Sequence, residues 1–108
     1  MGITEKAPET AGPGWVVLDI GDNTGAAVVT GPLGLQGREV EIRAAHTAWD
    51  GHHAAFHVRE TATGRIAAAV FPQLARGRWE VRLRFTEESP IVPLAVVGAR
   101  VSTVALPG

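Results

Sequence analysis

The stretch Arg78-Trp79-Glu80-Val81-Arg82-Leu83-Arg84-Phe85 alternates charged and apolar residues without a break. In a β-strand, a period of two places the apolar side chains on one face and the charged side chains on the other. We therefore predict a half-buried strand over 78–86. Its apolar face would contribute to a core, and its charged face would meet the solvent.

Similar short runs continue on both sides of this strand. Residues 38–45 alternate in the same way, with Val40 and Ile42 on the apolar face. Turn-forming residues interrupt the runs about every eight to twelve positions, which is typical of a β-sandwich. No run of about twelve residues keeps a helical period with caps. The predicted strands are 15–20, 25–30, 38–45, 54–60, 65–71, 78–86, 91–97 and 100–106.

These strands predict one all-β fold, a single antiparallel β-sandwich of seven or eight strands, with a small barrel as the alternative. Thr61-Ala62-Thr63-Gly64 would close a hairpin, because glycine adopts the left-handed conformation that such turns need. Pro93 cannot donate a ladder hydrogen bond, so the strand 91–97 is predicted at a sheet edge. The candidate core residues are Val40, Ile42, Phe56, Val58, Val70, Trp79, Val81, Leu83 and Phe85.

Length and composition exclude several classes of function. The 108 residues suffice for one domain. The absence of Cys excludes disulfides, thiolate metal sites and cysteine nucleophiles. Ten basic and eleven acidic residues leave a net charge of −1, which provides no general field for nucleic acid or an anionic membrane. We expect neither of these partners.

The N-terminal residues are expected to form a separate segment. Residues 1–14 contain two Pro and three Gly and are predicted to be a flexible arm, with the sandwich domain at 15–108. No apolar run matches a signal peptide or reaches the ~20 residues of a membrane helix. A cytoplasmic location is the resulting expectation.

Several segments after Val40 follow an order seen in a known family. Thr61-Ala62-Thr63-Gly64-Arg65 is followed by Ala69-Val70-Phe71, by Leu74-Ala75-Arg76-Gly77, by the strand 78–83 and by Gly98-Ala99-Arg100-Val101. This series resembles prealbumin-like modules of the carboxypeptidase-regulatory type, with Trp79 where those modules usually carry Tyr or another aromatic residue. The chain also resembles small actinobacterial proteins. The resemblance implies a prealbumin- or immunoglobulin-like sandwich and brings no shared catalytic residues.

All four histidines, His46, His52, His53 and His57, lie within twelve residues. Neutral imidazoles suit Zn²⁺, Cu²⁺ or Ni²⁺, and Asp50 could add a ligand or orient a histidine. If the strands on either side of this loop pair, His46 approaches His52 and His53, and His57 shares a face with His53. The four histidines are therefore candidate metal ligands, with a polar exposed loop as the alternative. No other cofactor is expected.

Trp49 and Asp50, in the same loop, are candidate binding residues. An exposed Trp beside polar side chains is a common platform for a ligand or a protein partner. The alternative is a Trp that folds back against the end of the sandwich, since Trp is usually mostly buried.

A set of arginines lies close to the strand 78–86, and it has two interpretations. A basic stripe could bind phosphate or nucleic acid. Glu80 interrupts the stripe, however, and Glu39 and Glu41 lie on the outer face of another strand, so cross-strand ion pairs are favoured. The arginines are Arg76, Arg78, Arg82 and Arg84.

Together these features favour a non-catalytic binding or assembly module. A metal-binding protein is the first alternative. A hydrolase is the second, although Ser89 and Ser102 lie outside any nucleophile motif. The expected partner is an unidentified protein or a second copy of the chain, with a homodimer formed through the edge strand 91–97.

Overall fold

The computed structural model describes residues 23–107, which form an all-β fold. The predicted arm 1–14 and the predicted strand 15–20 lie outside the described residues. The described part contains one 3₁₀ helix, Leu33–Leu35, and no helix long and apolar enough to cross a membrane. Its strands are β1 Thr24–Gly31, β2 Glu39–Ala44, β3 His53–Ala55, β4 His57–Thr61, β5 Gly64–Ala75, β6 Gly77–Leu83, β7 Val92–Val96 and β8 Val101–Ala105.

Two four-stranded sheets enclose one hydrophobic core. The first sheet has the order β4-β5-β1-β8 and the second has the order β3-β2-β6-β7. Core side chains come from both sheets, among them Phe71 from the first and Ile42 and Val81 from the second. Because successive side chains of a strand point to opposite faces, the charged residues of β2 and β6 lie on the outer side of the second sheet. This side is referred to below as the ion-pair face.

The predicted all-β class is confirmed, with two sheets of mostly antiparallel strands. The purely antiparallel arrangement needs one correction, because β8 runs parallel to β1 with Thr103 opposite Val28. The chain reaches β8 by crossing over from β7 in the second sheet, so β8 is not joined to β1 by a hairpin. The other strand pairs of the described chain are antiparallel.

The predicted strand 54–60 is two strands in different sheets. β3 pairs with β2, whereas β4 pairs with β5. Phe56 lies between β3 and β4 with its side chain fully buried. Its backbone N–H donates to the Arg38 carbonyl, and its carbonyl accepts from the Gly37 N–H, both at 2.9 Å. The prediction of a single strand is wrong, because the chain changes sheets where it buries the Phe56 ring.

β5 is longer than predicted and continues through Pro72. Ala27 of β1 lies opposite Phe71, but Gly25 lies opposite Leu74, so β5 carries one extra residue at this point. Such a bulge tolerates proline, which has no N–H to donate to the neighbouring strand.

Two local predictions are confirmed. Thr61 pairs with Gly64 in the β4–β5 hairpin, and Gly64 has a φ of 139°. β7 lies at the edge of the second sheet, with Pro93 opposite Glu80.

The alternating stretch that defines β6 ends earlier than predicted. The Leu83 N–H donates to Ser89 Oγ at 2.9 Å, so a side chain takes the place of a neighbouring strand. Phe85 then has a φ of 64° and is 83% exposed. Its prediction as a core residue is therefore wrong. Val40, Ile42, Phe56 and Val81 are fully buried as predicted, while Val58, Val70, Trp79 and Leu83 are half-buried.

Candidate functional site

Charged side chains of β2 and β6 pair across the ion-pair face. Glu41 lies opposite Arg82 in the ladder, and Arg82 Nε is 2.6 Å from Glu41 Oε2. Arg43 lies opposite Glu80, and Arg43 Nε is 2.8 Å from Glu80 Oε1. These contacts confirm the predicted cross-strand ion pairs. The arginines of the two pairs are neutralised within the chain and do not form a free basic stripe.

Glu41 is the buried carboxylate at the centre of this face. The residue is 6% exposed, and Arg84 Nε lies 3.9 Å from it in addition to Arg82. Arg84 also donates from Nη1 to Glu39 at 2.9 Å. A buried carboxylate is strongly unfavourable unless it is paired and hydrogen-bonded. Arg82, with the shortest contact, therefore holds the centre of the face together.

Glu80 ends the paired series on the side nearest to β7. The hydrogen bond from Arg43 holds the pKa of this carboxyl below its ordinary value. Partial burial acts in the opposite direction, while the charge of Arg43 and the backbone N–H of His46 lower the pKa further. The Arg43–Glu80 pair is consequently ionised at neutral pH.

Trp49 lies over the same face. The guanidinium carbon of Arg43 is 4.2 Å from the centroid of the Trp49 ring, and that of Arg82 is 4.0 Å from it. Both contacts are cation–π interactions, and the residue is half-buried. The ring therefore covers paired arginines on the outside of the second sheet, instead of closing the end of the sandwich.

Short-range hydrogen bonds shape the Trp49 loop, residues 46–52. Thr47 Oγ1 donates to the Ala44 carbonyl at 2.6 Å. Asp50 Oδ1 accepts the His52 N–H at 3.0 Å, which is the contact of an Asx turn. Asp50, predicted as a binding residue, thus shapes the loop that carries Trp49.

The four predicted metal ligands are divided between elements. His46 lies in the turn after β2, and the His52 ring packs perpendicular to the Phe71 ring with 5.2 Å between the centroids. His53 begins β3 in the second sheet, whereas His57 begins β4 in the first. The expected shared face of His53 and His57 is therefore wrong, because the chain changes sheets between them.

His53 contacts residues of the ion-pair face. Its Nδ1 lies 2.7 Å from the Gly51 carbonyl and 3.0 Å from Arg84 Nη1, and its Nε2 lies 3.8 Å from Glu39. Within residues 23–107, no group of three or more His, Cys, Asp or Glu side chains could hold a metal ion. The metal-site hypothesis stays a prediction.

A groove runs along the ion-pair face between Trp49 and Phe85. The Phe85 ring forms one wall, and the guanidinium carbon of Arg84 lies 4.7 Å from its centroid. The paired side chains of Glu41 and Arg82 contribute to the groove. Its volume is about 590 Å³, and its lining residues are Glu41, Trp49, Gly51, Arg82, Arg84, Phe85, Thr86 and Glu87.

A second groove lies on the other side of the same ring. Its volume is about 390 Å³, and Arg38 and Thr86 line it together with Phe85. Arg38 Nη2 donates to Thr86 Oγ1 at 2.9 Å. This hydrogen bond connects the residue after Phe85 with the residue before β2. Phe85 thus stands between two grooves, and this arrangement is referred to below as the Phe85 ridge.

Sequence reasoning missed the Phe85 ridge. Alternation alone assigned the residue to the core, because the period of two was continued past the true end of β6. The available signal was Ser89-Pro90 shortly afterwards, since Ser and Pro favour a turn. In the structure Ser89 Oγ accepts from Leu83 and donates to the Pro90 carbonyl, so this hydroxyl shapes the turn.

Comparisons of the chain with family models, with curated proteins and with solved structures find no match. The function is therefore inferred from the geometry of the described residues.

Proposed function

We propose that this chain is a non-catalytic β-sandwich module that binds a protein partner through the Phe85 ridge. The exposure of Phe85 carries the proposal. This ring is 83% exposed, whereas the other exposed large apolar residues of the described chain, Leu33, Ile91 and Val97, are 44–46% exposed. Aromatic residues and arginine are enriched at the energetic centres of protein interfaces.

The backbone of Phe85 also supports a binding role. A φ of 64° places an L-residue in the left-handed region, which costs about 1–2 kcal/mol. Among the described residues, the ring gains a contact with Arg84 in return. Strained residues of this kind cluster at sites where ligands are held.

The surroundings of the ring indicate the chemistry of the partner. A phenyl ring that enters an apolar pocket can bury about 150–250 Å² of its surface. Glu87 and Glu88 follow Phe85, are exposed, and contact no cation among the described residues. The partner surface that fits this ridge is an apolar pocket with a basic side chain beside it. Trp49 and Asp50 shape the far wall of the larger groove.

We also propose that the sandwich is of the prealbumin-like type and that the protein is cytoplasmic. The prealbumin-like type is supported by the Thr61–Gly64 hairpin and by the order of β5, β6 and β8, which follow the family pattern. A cytoplasmic location, the expectation from the sequence, stays part of this proposal.

A selection from a phage library of random peptides tests the proposal. The immobilised wild-type chain should enrich peptides that combine apolar residues with Arg or Lys. The affinity of the selected peptides should fall about 30-fold for the Phe85→Ser variant, because Phe85 would be the central contact of the interface.

The matched control is Val97→Ser, which removes another exposed apolar side chain at the end of β7. This variant should bind the selected peptides as the wild type does. Equal binding to Phe85→Ser and to the wild type, or a selection against the monomeric chain that enriches no peptide, would contradict the proposal.

A further inference from the structure

A third depression lies on the ion-pair face, between β7 and the turn that follows β2. Its position follows from the β6–β7 ladder, which places Ala95 opposite Arg78 and Pro93 opposite Glu80. Small apolar side chains of Ala45, Pro93 and Ala95 contribute to its lining, beside charged and polar ones. Its volume is about 350 Å³, and it is lined by Ala45, His46, Arg78, Trp79, Glu80, Pro93, Leu94 and Ala95. This depression is referred to below as the β7 cleft.

The β7 cleft contains an exposed cation. Arg78 is exposed, and its guanidinium forms no ion pair with a described carboxylate. Glu80 lies in the same cleft but is already paired with Arg43. The cleft therefore offers small apolar side chains beside one unpaired cation. These are the properties that fit Phe85 and its acidic neighbours.

The ridge and the cleft occupy opposite ends of the same strand on the same face. Phe85 lies six positions after Trp79 along the chain, so the two are at most about 20 Å apart at ~3.3 Å per residue. Consider two copies related by a two-fold axis that is parallel to this face and perpendicular to β6. Each Phe85 then lies over the β7 cleft of the other copy, and both contacts form together. Such a reciprocal contact closes on itself and gives a dimer.

We propose that the partner of the Phe85 ridge is a second copy of this chain, whose β7 cleft receives the Phe85 ring while Arg78 meets Glu87 and Glu88. This inference rests on the proposed function, because it names the partner of the same ridge. It also changes the expected mode of self-association. Pro93 and Ala95 present their side chains to the partner, so β7 contributes its outer face and not its free edge.

Sedimentation equilibrium of the full chain measures the expected dimer. The wild type should reach a dimer and nothing larger. Phe85→Ser, which removes the ring, should raise the dimer dissociation constant about 30-fold, as loss of a central aromatic contact does. Ala95→Trp, which fills the cleft from an exposed position, should raise it to a similar extent.

A mixture of these two variants gives the decisive test. The Ala95→Trp copy keeps its ring, and the Phe85→Ser copy keeps its cleft, so one of the two reciprocal contacts remains. The mixture should therefore form a mixed dimer more tightly than either variant dimerises alone. Leu33→Ser, which removes an exposed apolar side chain of the 3₁₀ helix, serves as the control and should dimerise like the wild type.

Charge reversal tests the contact beside the ring. Arg78→Glu alone should weaken dimerisation, and so should Glu87→Arg combined with Glu88→Arg. Mixing the two oppositely reversed copies should make both reciprocal charge contacts attractive again and so restore dimerisation. Arg65→Glu, a reversal of an exposed charge in the first sheet, should leave the dissociation constant unchanged.

Each opposing result has its own meaning. A wild type that stays monomeric overturns the second copy as partner, while peptide selection decides independently whether the ridge binds another protein. A dimer insensitive to both Phe85→Ser and Ala95→Trp overturns the proposal and assigns the contact to another surface, such as the free edge of β7. Open chains of copies would overturn the two-fold arrangement.

Discussion

The Trp49 loop and the Phe85 turn (residues 84–90) place the same two kinds of side chain in opposite roles. Each sets an aromatic ring against arginine on the outer side of the second sheet. The Trp49 ring contacts two guanidinium groups and is half-buried. The Phe85 ring contacts the guanidinium group of Arg84 and is 83% exposed. The aromatic–arginine contact thus holds the Trp49 loop against the sheet, whereas in the Phe85 turn it leaves the ring exposed to the solvent.

The partners of the arginines explain the difference. Arg43 and Arg82, which contact Trp49, are also held by ion pairs with carboxylates on the neighbouring strand. The loop therefore closes onto a surface that the β2–β6 register has already organised. The Phe85 turn begins where that ladder ends, and nothing in the described chain covers the far side of its ring. Trp49 packs over paired strands and stabilises the fold, whereas Phe85 lies beyond the end of the paired strands and is available for a partner.

The largest expected effect concerns the arginine beneath Trp49. Arg82→Met removes the closest partner of buried Glu41 and one of the two cations against the indole. The variant should lose about 3 kcal/mol of unfolding free energy, because an uncompensated buried carboxylate is strongly unfavourable. Urea denaturation measures the change. The double variant Glu41→Leu with Arg82→Met removes both charges and should recover most of the loss. A single variant as stable as the wild type would mean that Arg84 can replace Arg82.

The two aromatic residues should respond in opposite directions. Trp49→Ala should lower the unfolding free energy by about 1–2 kcal/mol, through lost cation–π contacts and lost apolar burial. Phe85→Asn should raise it by about 0.5 kcal/mol, because asparagine tolerates the left-handed region and the lost exposed contact with Arg84 is weaker. Thermal or urea unfolding of the two variants side by side measures both, at protein concentrations low enough to keep the chain monomeric, because dimerisation adds to the apparent stability. If both substitutions destabilise the chain, Phe85 has a structural role and the comparison fails.

The sequence predicted those parts of the face that depend on local periodicity. Alternation in β2 and β6 places Val40, Ile42 and Val81 inside, and it leaves the charged residues outside. Once the apolar faces meet a common core, the register of neighbouring strands brings Glu41 opposite Arg82. The ion pairs therefore follow from a pattern that is visible in the chain itself.

The remaining features depend on contacts between distant residues. Trp49 could not be placed from sequence, because its position depends on two arginines from two other strands. The change of sheets at Phe56 is hidden in a run that alternates normally. Phe85 lies outside the core because β6 ends at Leu83, whose N–H donates to the Ser89 hydroxyl and not to a neighbouring strand. In each case a tertiary contact overrides the local period of two.

The smallest expected effect is a difference in the pH dependence of stability between acidic residues of the two regions. The pKa of Glu80 is lowered by the hydrogen bond from Arg43, so the folded state binds its proton less readily than the unfolded state. Its stabilisation is present above the ordinary Glu pKa of 4.5 and is lost as the pH falls through the lower pKa of the folded state. Glu80→Gln should therefore be less stable than the wild type at pH 7, and this difference should shrink as the solution is acidified below about pH 4.5.

Urea midpoints measured across the acid range test this expectation, with Glu88→Gln as the matched control. Glu88 belongs to the Phe85 turn and contacts no cation in the described chain, so its substitution should leave the acid dependence close to that of the monomeric wild type. The measurements belong at protein concentrations low enough to keep the chain monomeric, because the proposed dimer uses the charge of Glu88. Under those conditions, equal effects of the two substitutions on the pH dependence of stability would show that the pairing of Glu80 with Arg43 does not stabilise the fold. A pH-dependent difference for Glu80 alone would show that charge holds the loop side together, while the acidic residues of the turn remain available for a partner.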